Sequence, residues 1–161
     1  MSTKPRAPTK RRRSWKLTPA QRYATMSSIR SKNTKPEQRV RRALNSLGIP
    51  YRLQTSNLPG TPDFIVPEGQ IAVLVNGCFW HQHSGCRLAR IPKSRPDYWP
   101  KKLQNNKMRD QRARRALRYL GWKVLTIWEC KTFDSIALAK RLKARLTKTL
   151  RLMPTKTSTK K

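Results

Sequence analysis

Among only seven acidic residues in this chain, two stand where a carboxylate could meet a phosphodiester. Asp63 follows Pro62 and opens an apolar run, Phe64-Ile-Val66, so its side chain is expected at the rim of a sheet. Glu37 lies three residues before Val40 and seven before Leu44, on the apolar face of a helix and therefore directed toward that sheet. A carboxylate at a strand start, supported by another on a packed helix, can hold a divalent cation that activates water and stabilises charge on a phosphate. Each residue also has a plainer reading. Glu37 can complete a capping box with Thr34, and Asp63 can be an ordinary turn residue.

The next segment, Asn76-Gly-Cys-Phe-Trp-His-Gln-His-Ser-Gly-Cys86, is dense in metal ligands. Cys78, a histidine and Cys86 come from one loop, and Cys130, after a later strand, completes a Cys3His set of the kind that encloses structural zinc. The alternative is that buried cysteines serve as small hydrophobes, but all three cysteines and both histidines of the chain gather at two ends of one predicted sheet. The histidine that is not a ligand could take a proton from water near neutral pH. Spacing alone does not separate His81 from His83 in these roles. Phe79, Trp80 and Trp99 are interleaved with Arg87, Arg90, Lys93 and Arg95, a mixture that suits cations on phosphates and rings against bases. At least one ring could instead pack into the core, the expected fate of Trp122 and Trp128.

The elements that position these residues can be read from punctuation. Thr18, Pro19 and Gln21 start a short helix to about Ile29, and Thr34 with Glu37 starts another that ends at Gly48. Tyr51 to Gln54 is a short strand. Leu58-Pro-Gly-Thr-Pro62 turns into the Asp63–Val66 strand, and Pro67-Glu-Gly69 turns again into Ile71–Val75, an unbroken apolar run typical of a strand covered on both faces. A polar helix from about Tyr98 to Leu120, a strand from Trp122 to Trp128, and an amphipathic helix marked by Ile136, Ala139, Leu142, Leu146 and Leu150 complete the body. The expected architecture is α/β, a central mixed sheet flanked by helices.

Charge narrows the partners. The sequence has 38 Lys and Arg against 7 Asp and Glu, a net +31, and residues 17–146 alone hold 26 bases and all 7 acids. Such a surface attracts phosphate backbones. No stretch approaches the roughly 20 apolar residues of a membrane span, and the basic N-terminus lacks a secretory pattern, so the cytoplasm is the expected location. Residues 1–16 and 153–161 are expected to be disordered basic arms around one domain, 17–152.

Taken together, Arg30-Ser-Lys-Asn33, Leu58-Pro-Gly-Thr-Pro-Asp-Phe64, Gly77-Cys-Phe-Trp-His81 and Gly121-Trp-Lys-Val-Leu-Thr-Ile-Trp-Glu-Cys130 resemble the very-short-patch-repair (Vsr) DNA mismatch endonucleases, in order and spacing, over about Met26 to Cys130. The resemblance implies a fold like that of restriction endonucleases and an enzyme that nicks one strand beside the thymine of a T:G mismatch left by deamination of 5-methylcytosine. It implies that Asp63 and the main-chain carbonyl of Val75 bind magnesium, that His81 is the general base and that Glu37 supports the site. Cys78, His83, Cys86 and Cys130 would bind zinc, while Phe79, Trp80 and Trp99 would enter the DNA beside the mismatch. Mismatch-repair proteins and a polymerase acting after the nick are the implied partners of a monomeric enzyme. The chain departs from the family in two places. Asn76 stands where a second active-site histidine is often found, able to donate to phosphate but not to transfer a proton, and Val75 replaces a threonine. Two other functions remain compatible with the residues: a related nuclease of a mobile element or restriction system, and a non-catalytic zinc-stabilised DNA-binding module.

Overall fold

The computed structural model describes Thr18, Gln21 and residues 32–53 and 57–151. The two basic arms, most of the helix expected after Thr18 and part of the Arg30–Asn33 motif lie outside these residues. Thr18 and Gln21 do exchange the reciprocal bonds of a capping box, at 2.9 and 3.2 Å. The described residues from Asn33 onward form one compact unit.

Helix α1, Lys35–Ser46, starts where the sequence places it. Thr34 Oγ1 accepts from the Glu37 amide at 3.5 Å, and Glu37 Oε2 accepts from the Asn33 amide at 2.8 Å, so two donors that the helix cannot satisfy internally are capped by side chains. The sheet follows in the order β1 (Arg52–Leu53), β2 (Phe64–Val66), β3 (Ile71–Asn76), β4 (Lys123–Trp128). The β1–β2 and β2–β3 pairs are antiparallel, and β3–β4 is parallel with Asn76 opposite Trp128. Parallel strands need a long crossover, and here it contains the Cys/His loop and helix α2, Trp99–Tyr119. Helix α3, Ser135–Arg151, ends the described chain.

Side-chain alternation along β3 separates two cores. Ile71 and Val73 pack with Val40 and Leu44 of α1 and Leu138, Leu142 and Leu146 of α3, while Ala72 packs with Ile65 and Leu117 of α2. Helices therefore cover both faces of a mixed sheet, as the α/β expectation required. Two details differ from it. Ile136 is 68 % exposed and Leu138 is buried in its place, while Leu142 and Leu146 are buried as expected, so the inward stripe of α3 differs from the expected one only at its start. The side chain of Leu150 lies outside the described residues. Of the two tryptophans expected in the core, Trp122 packs against the second cluster, but Trp128 stacks on His83 with ring centroids 4.2 Å apart and planes 10° from parallel.

Candidate active site and metal centre

Asp63 reaches its position through a strained turn. Gly60 has φ +71° and sits so close to α2 that a Cβ there would fall 2.5 Å from Ala113 Cβ. Thr61 follows, also left-handed at φ 46°. The chain then enters the sheet: the Asp63 amide donates to Val73 O at 2.9 Å, and the Val75 amide donates to Asp63 Oδ2 at 2.7 Å. Burial pushes the Asp63 carboxyl up from 3.8 to about 6, against the lowering effect of the Val75 bond, and the negative charge of Glu37 adds to the rise. Glu37 is thus both the capping residue of the plainer reading and an electrostatic neighbour of Asp63.

Asn76 ends β3 on the α2 face of the sheet. It is 6 % exposed, and its Nδ2 is a buried donor with no hydrogen-bond partner. Such a group costs about 1–3 kcal/mol when left unsatisfied, so it is suited to an acceptor brought by a ligand.

The loop beyond β3 sends its two histidines in different directions. Gln82 between them is left-handed, at φ 50°, and its side chain is tied to Phe79 O at 2.7 Å. His81 Nδ1 meets Asp110 Oδ2 of α2 at 2.5 Å. A carboxylate can only accept, which assigns the proton to Nδ1 and leaves Nε2 as the basic nitrogen. Asp110 was missed from the sequence. The available signal was that it is the sole acid of a 21-residue helix otherwise rich in Lys and Arg.

His83 turns toward the cysteines. Its Nδ1 lies 3.6 Å from Cys78 Sγ and 3.3 Å from Cys130 Sγ, and the four ligand atoms of Cys78, His83, Cys86 and Cys130 all lie within 4.8 Å of one another. The three cysteines form no disulfide. Tetrahedral coordination with metal bonds of about 2.0–2.3 Å spaces its ligand atoms by roughly 3.3–3.8 Å, so the donor set and its spacing fit one metal ion. Burial holds the Cys78 thiol up at about 12 and pushes His83 down, while the Leu88 amide lowers Cys86. Glu129, also unforeseen, accepts from the Cys78 amide at 3.1 Å.

Phe79, Trp80 and Trp99 form one cluster, with centroids 5.0, 5.3 and 6.2 Å apart. Trp99 is only 9 % exposed and Phe79 and Trp80 are half-buried, so one ring does pack inward, as the alternative reading allowed. Asn106 of α2 donates to Trp80 O at 3.3 Å. Arg87, Arg90, Lys93 and Arg95 are all exposed on the segment between the Cys/His loop and α2.

Comparison with known proteins accords with this geometry. The family model for the DNA mismatch endonuclease Vsr matches residues 14–87. The chain is 47 % identical over 128 residues to the type II nicking enzyme V.XorIIP of Xanthomonas oryzae pv. oryzae, covering 80 % of this chain and 93 % of that protein. The chain belongs to the Vsr family. It is also 40 % identical over 111 residues to the DNA mismatch endonuclease Vsr of Escherichia coli, covering 69 % and 70 % of the two chains, and 36 % identical over 126 residues to the type II nicking enzyme V.NmeAIP of Neisseria meningitidis, covering 78 % and 89 %. Among the described residues no helix is long and apolar enough to cross a membrane.

Proposed function

We propose that this Vsr-family chain is a DNA endonuclease that nicks one strand beside the thymine of a T:G mismatch. The observation that supports the catalytic part of this reading is that Asp63 is hydrogen-bonded to Val75 next to Asn76 at the end of β3 and feels the charge of the Asp110-bound His81. A buried carboxyl at about 6, with a second carboxylate nearby, is a group whose charged form lacks compensation, and a cation supplies it. Asp63 and the Val75 carbonyl are few enough ligands for a hydrated Mg2+, which when bound supplies positive charge to the phosphate oxygens in the transition state.

The protein's own groups do the rest. His81 Nε2 accepts the proton of the attacking water, and Asp110 holds the ring in the required tautomer and stabilises the imidazolium that forms. Asn76 Nδ2, without a protein acceptor, donates to a phosphate oxygen. Glu37 keeps the Asp63 environment negative and so favours the cation. The Cys3His centre is assigned to zinc from its soft, closed donor set; it ties the loop carrying His81 and Trp80 to the end of β4. Phe79 and Trp80 act as the wedge, backed by the inward-packed Trp99 and exploiting the lower cost of unstacking a mispaired base, and Arg87, Arg90, Lys93 and Arg95 take the flanking phosphates.

The test is strand-specific cleavage of two duplexes, one with a T:G mismatch in a cytosine-methylation context and one fully matched, with magnesium and with chelator. Magnesium-dependent nicking at the mispaired thymine alone is expected. Equal cutting of both duplexes would replace this reading with that of a site-specific nuclease, and salt-sensitive binding without any cleavage would leave a DNA-binding module.

A further inference from the structure

Helix α2 has two faces with opposite jobs. Its inward stripe carries Trp99, Asn106, Asp110 and Leu117, which serve the wedge, the loop, the general base and the core. Its one acid is therefore turned in. The outer face is cationic without relief: in the distal half Arg112, Arg115 and Arg118 are exposed, and among the described residues none of them forms an ion pair. Successive arginines three apart are neighbours on a helix, and each such like-charged contact weakens it. Beside them Tyr119 is 92 % exposed. At about 1.5 Å of rise per residue the three arginines lie about 3, 8 and 12 Å along the helix axis from Asp110, on the exposed face of the same element.

We propose that the distal outer face of α2, centred on Arg112, Arg115 and Arg118, is a second DNA-contact surface that takes the phosphates of the duplex flanking the nicking site. This rests on the DNA-endonuclease reading above. The occupant is a polyanion of regular charge spacing rather than an acidic protein segment, because the arginines are spread along the helix without an apolar groove between them, and because the same helix holds the candidate catalytic loop through Asn106 and Asp110. Its contribution is affinity and residence on long DNA, not chemistry.

The test compares the metal-loaded full chain with an Arg112→Gln/Arg115→Gln/Arg118→Gln variant, which keeps helix propensity and removes three charges. Binding to a short duplex limited to the mismatch and to a duplex several helical turns long is followed by anisotropy across a salt series, and nicking is followed in single turnover at saturating protein. On the long duplex the slope of log K against log salt should shrink by up to about 2.7, and affinity should fall about tenfold at physiological salt; on the short duplex both should hold, and the saturated nicking rate should stay within about twofold. A control, Arg42→Gln/Lys140→Gln/Lys143→Gln, removes the same charge from residues lining a groove between α1 and α3, on the other side of the sheet, and should weaken long-duplex binding much less. An unchanged slope on long DNA, equal weakening on both duplexes, or an equal effect of the control overturns the proposal. Binding is read without cleavage, so a wild-type protein that fails to nick would refute the endonuclease reading and still leave this surface decided.

Discussion

Asp63 is held in a form whose charge costs stability. Its folded carboxyl titrates at about 6 against 3.8 for the ordinary group, so between those values the unfolded chain has already lost a proton that the folded chain keeps. Stability therefore falls as pH rises through that window, by at most about 3 kcal/mol for this group. Asp63→Asn keeps an acceptor for the Val75 amide and removes the buried charge. With chelator present, the variant should melt above wild type at pH 8, with the gap closing below about pH 4, while nicking is lost; a melting difference independent of pH would refute the burial account. Asp110→Asn is a different kind of change, because an amide can present either a donor or an acceptor to His81 Nδ1 and no longer stabilises the imidazolium. It should lower single-turnover nicking by about a hundredfold or more with DNA affinity within a few fold, and wild-type rates would remove Asp110 from the mechanism.

The loops on either side of the sheet are positioned by contacts rather than by their own regularity. Gly60 combines a positive φ with a 2.5 Å approach of any Cβ to Ala113, so Gly60→Ala is strained twice and should destabilise by about 2–4 kcal/mol. Asp63 lies three residues on, so nicking per folded molecule should also drop; unchanged melting would mean that α2 shifts to accommodate the methyl. With zinc held as proposed, the loop from Cys78 to Cys86 depends on that metal. Stripping zinc with a strong chelator, or Cys130→Ser, should release the loop from β4, seen as faster hydrogen exchange across residues 78–86 and loss of the Trp128 stack in near-ultraviolet dichroism. Exchange unchanged after verified metal removal would show that packing alone holds it.

With a net charge of +31, the whole molecule is expected to bind DNA largely through counterion release. Matched and mismatched duplexes should show similar, steep salt slopes, with affinity for both falling by about three decades or more between 50 and 200 mM salt. The mismatch should appear as an offset between the two lines, because wedge insertion depends on base stacking rather than on phosphate charge. Slopes that differ widely between the duplexes would mean that the mismatch recruits additional phosphate contacts.

Much of this protein was legible in one dimension. Hydrophobic period, capping residues and Gly or Pro punctuation are local signals, and they located α1, the β2–β3 hairpin, α2 and β4 to within about two residues. The clustering of rare residue types marked Asp63, the Cys/His loop and Cys130, since chemistry needs particular side chains whatever the fold. What sequence could not decide is every relation across the chain. His81 and His83 are equivalent by spacing; the family resemblance assigned them different roles, and the physical separation comes from the left-handed Gln82 between them and from what each then meets, Asp110 from a helix 29 residues on and Cys130 from beyond β4. The burial of Leu138 in place of Ile136, the stacking of Trp128 and the partnerless Asn76 amide depend on packing against distant elements, which a periodic pattern does not encode. Composition pointed to a polyanionic partner, and the gathering of cysteines and histidines to a candidate metal site; the tertiary structure decided which atoms face one another, because hydrogen bonds, coordination and desolvation act over a few ångströms between residues far apart in the chain.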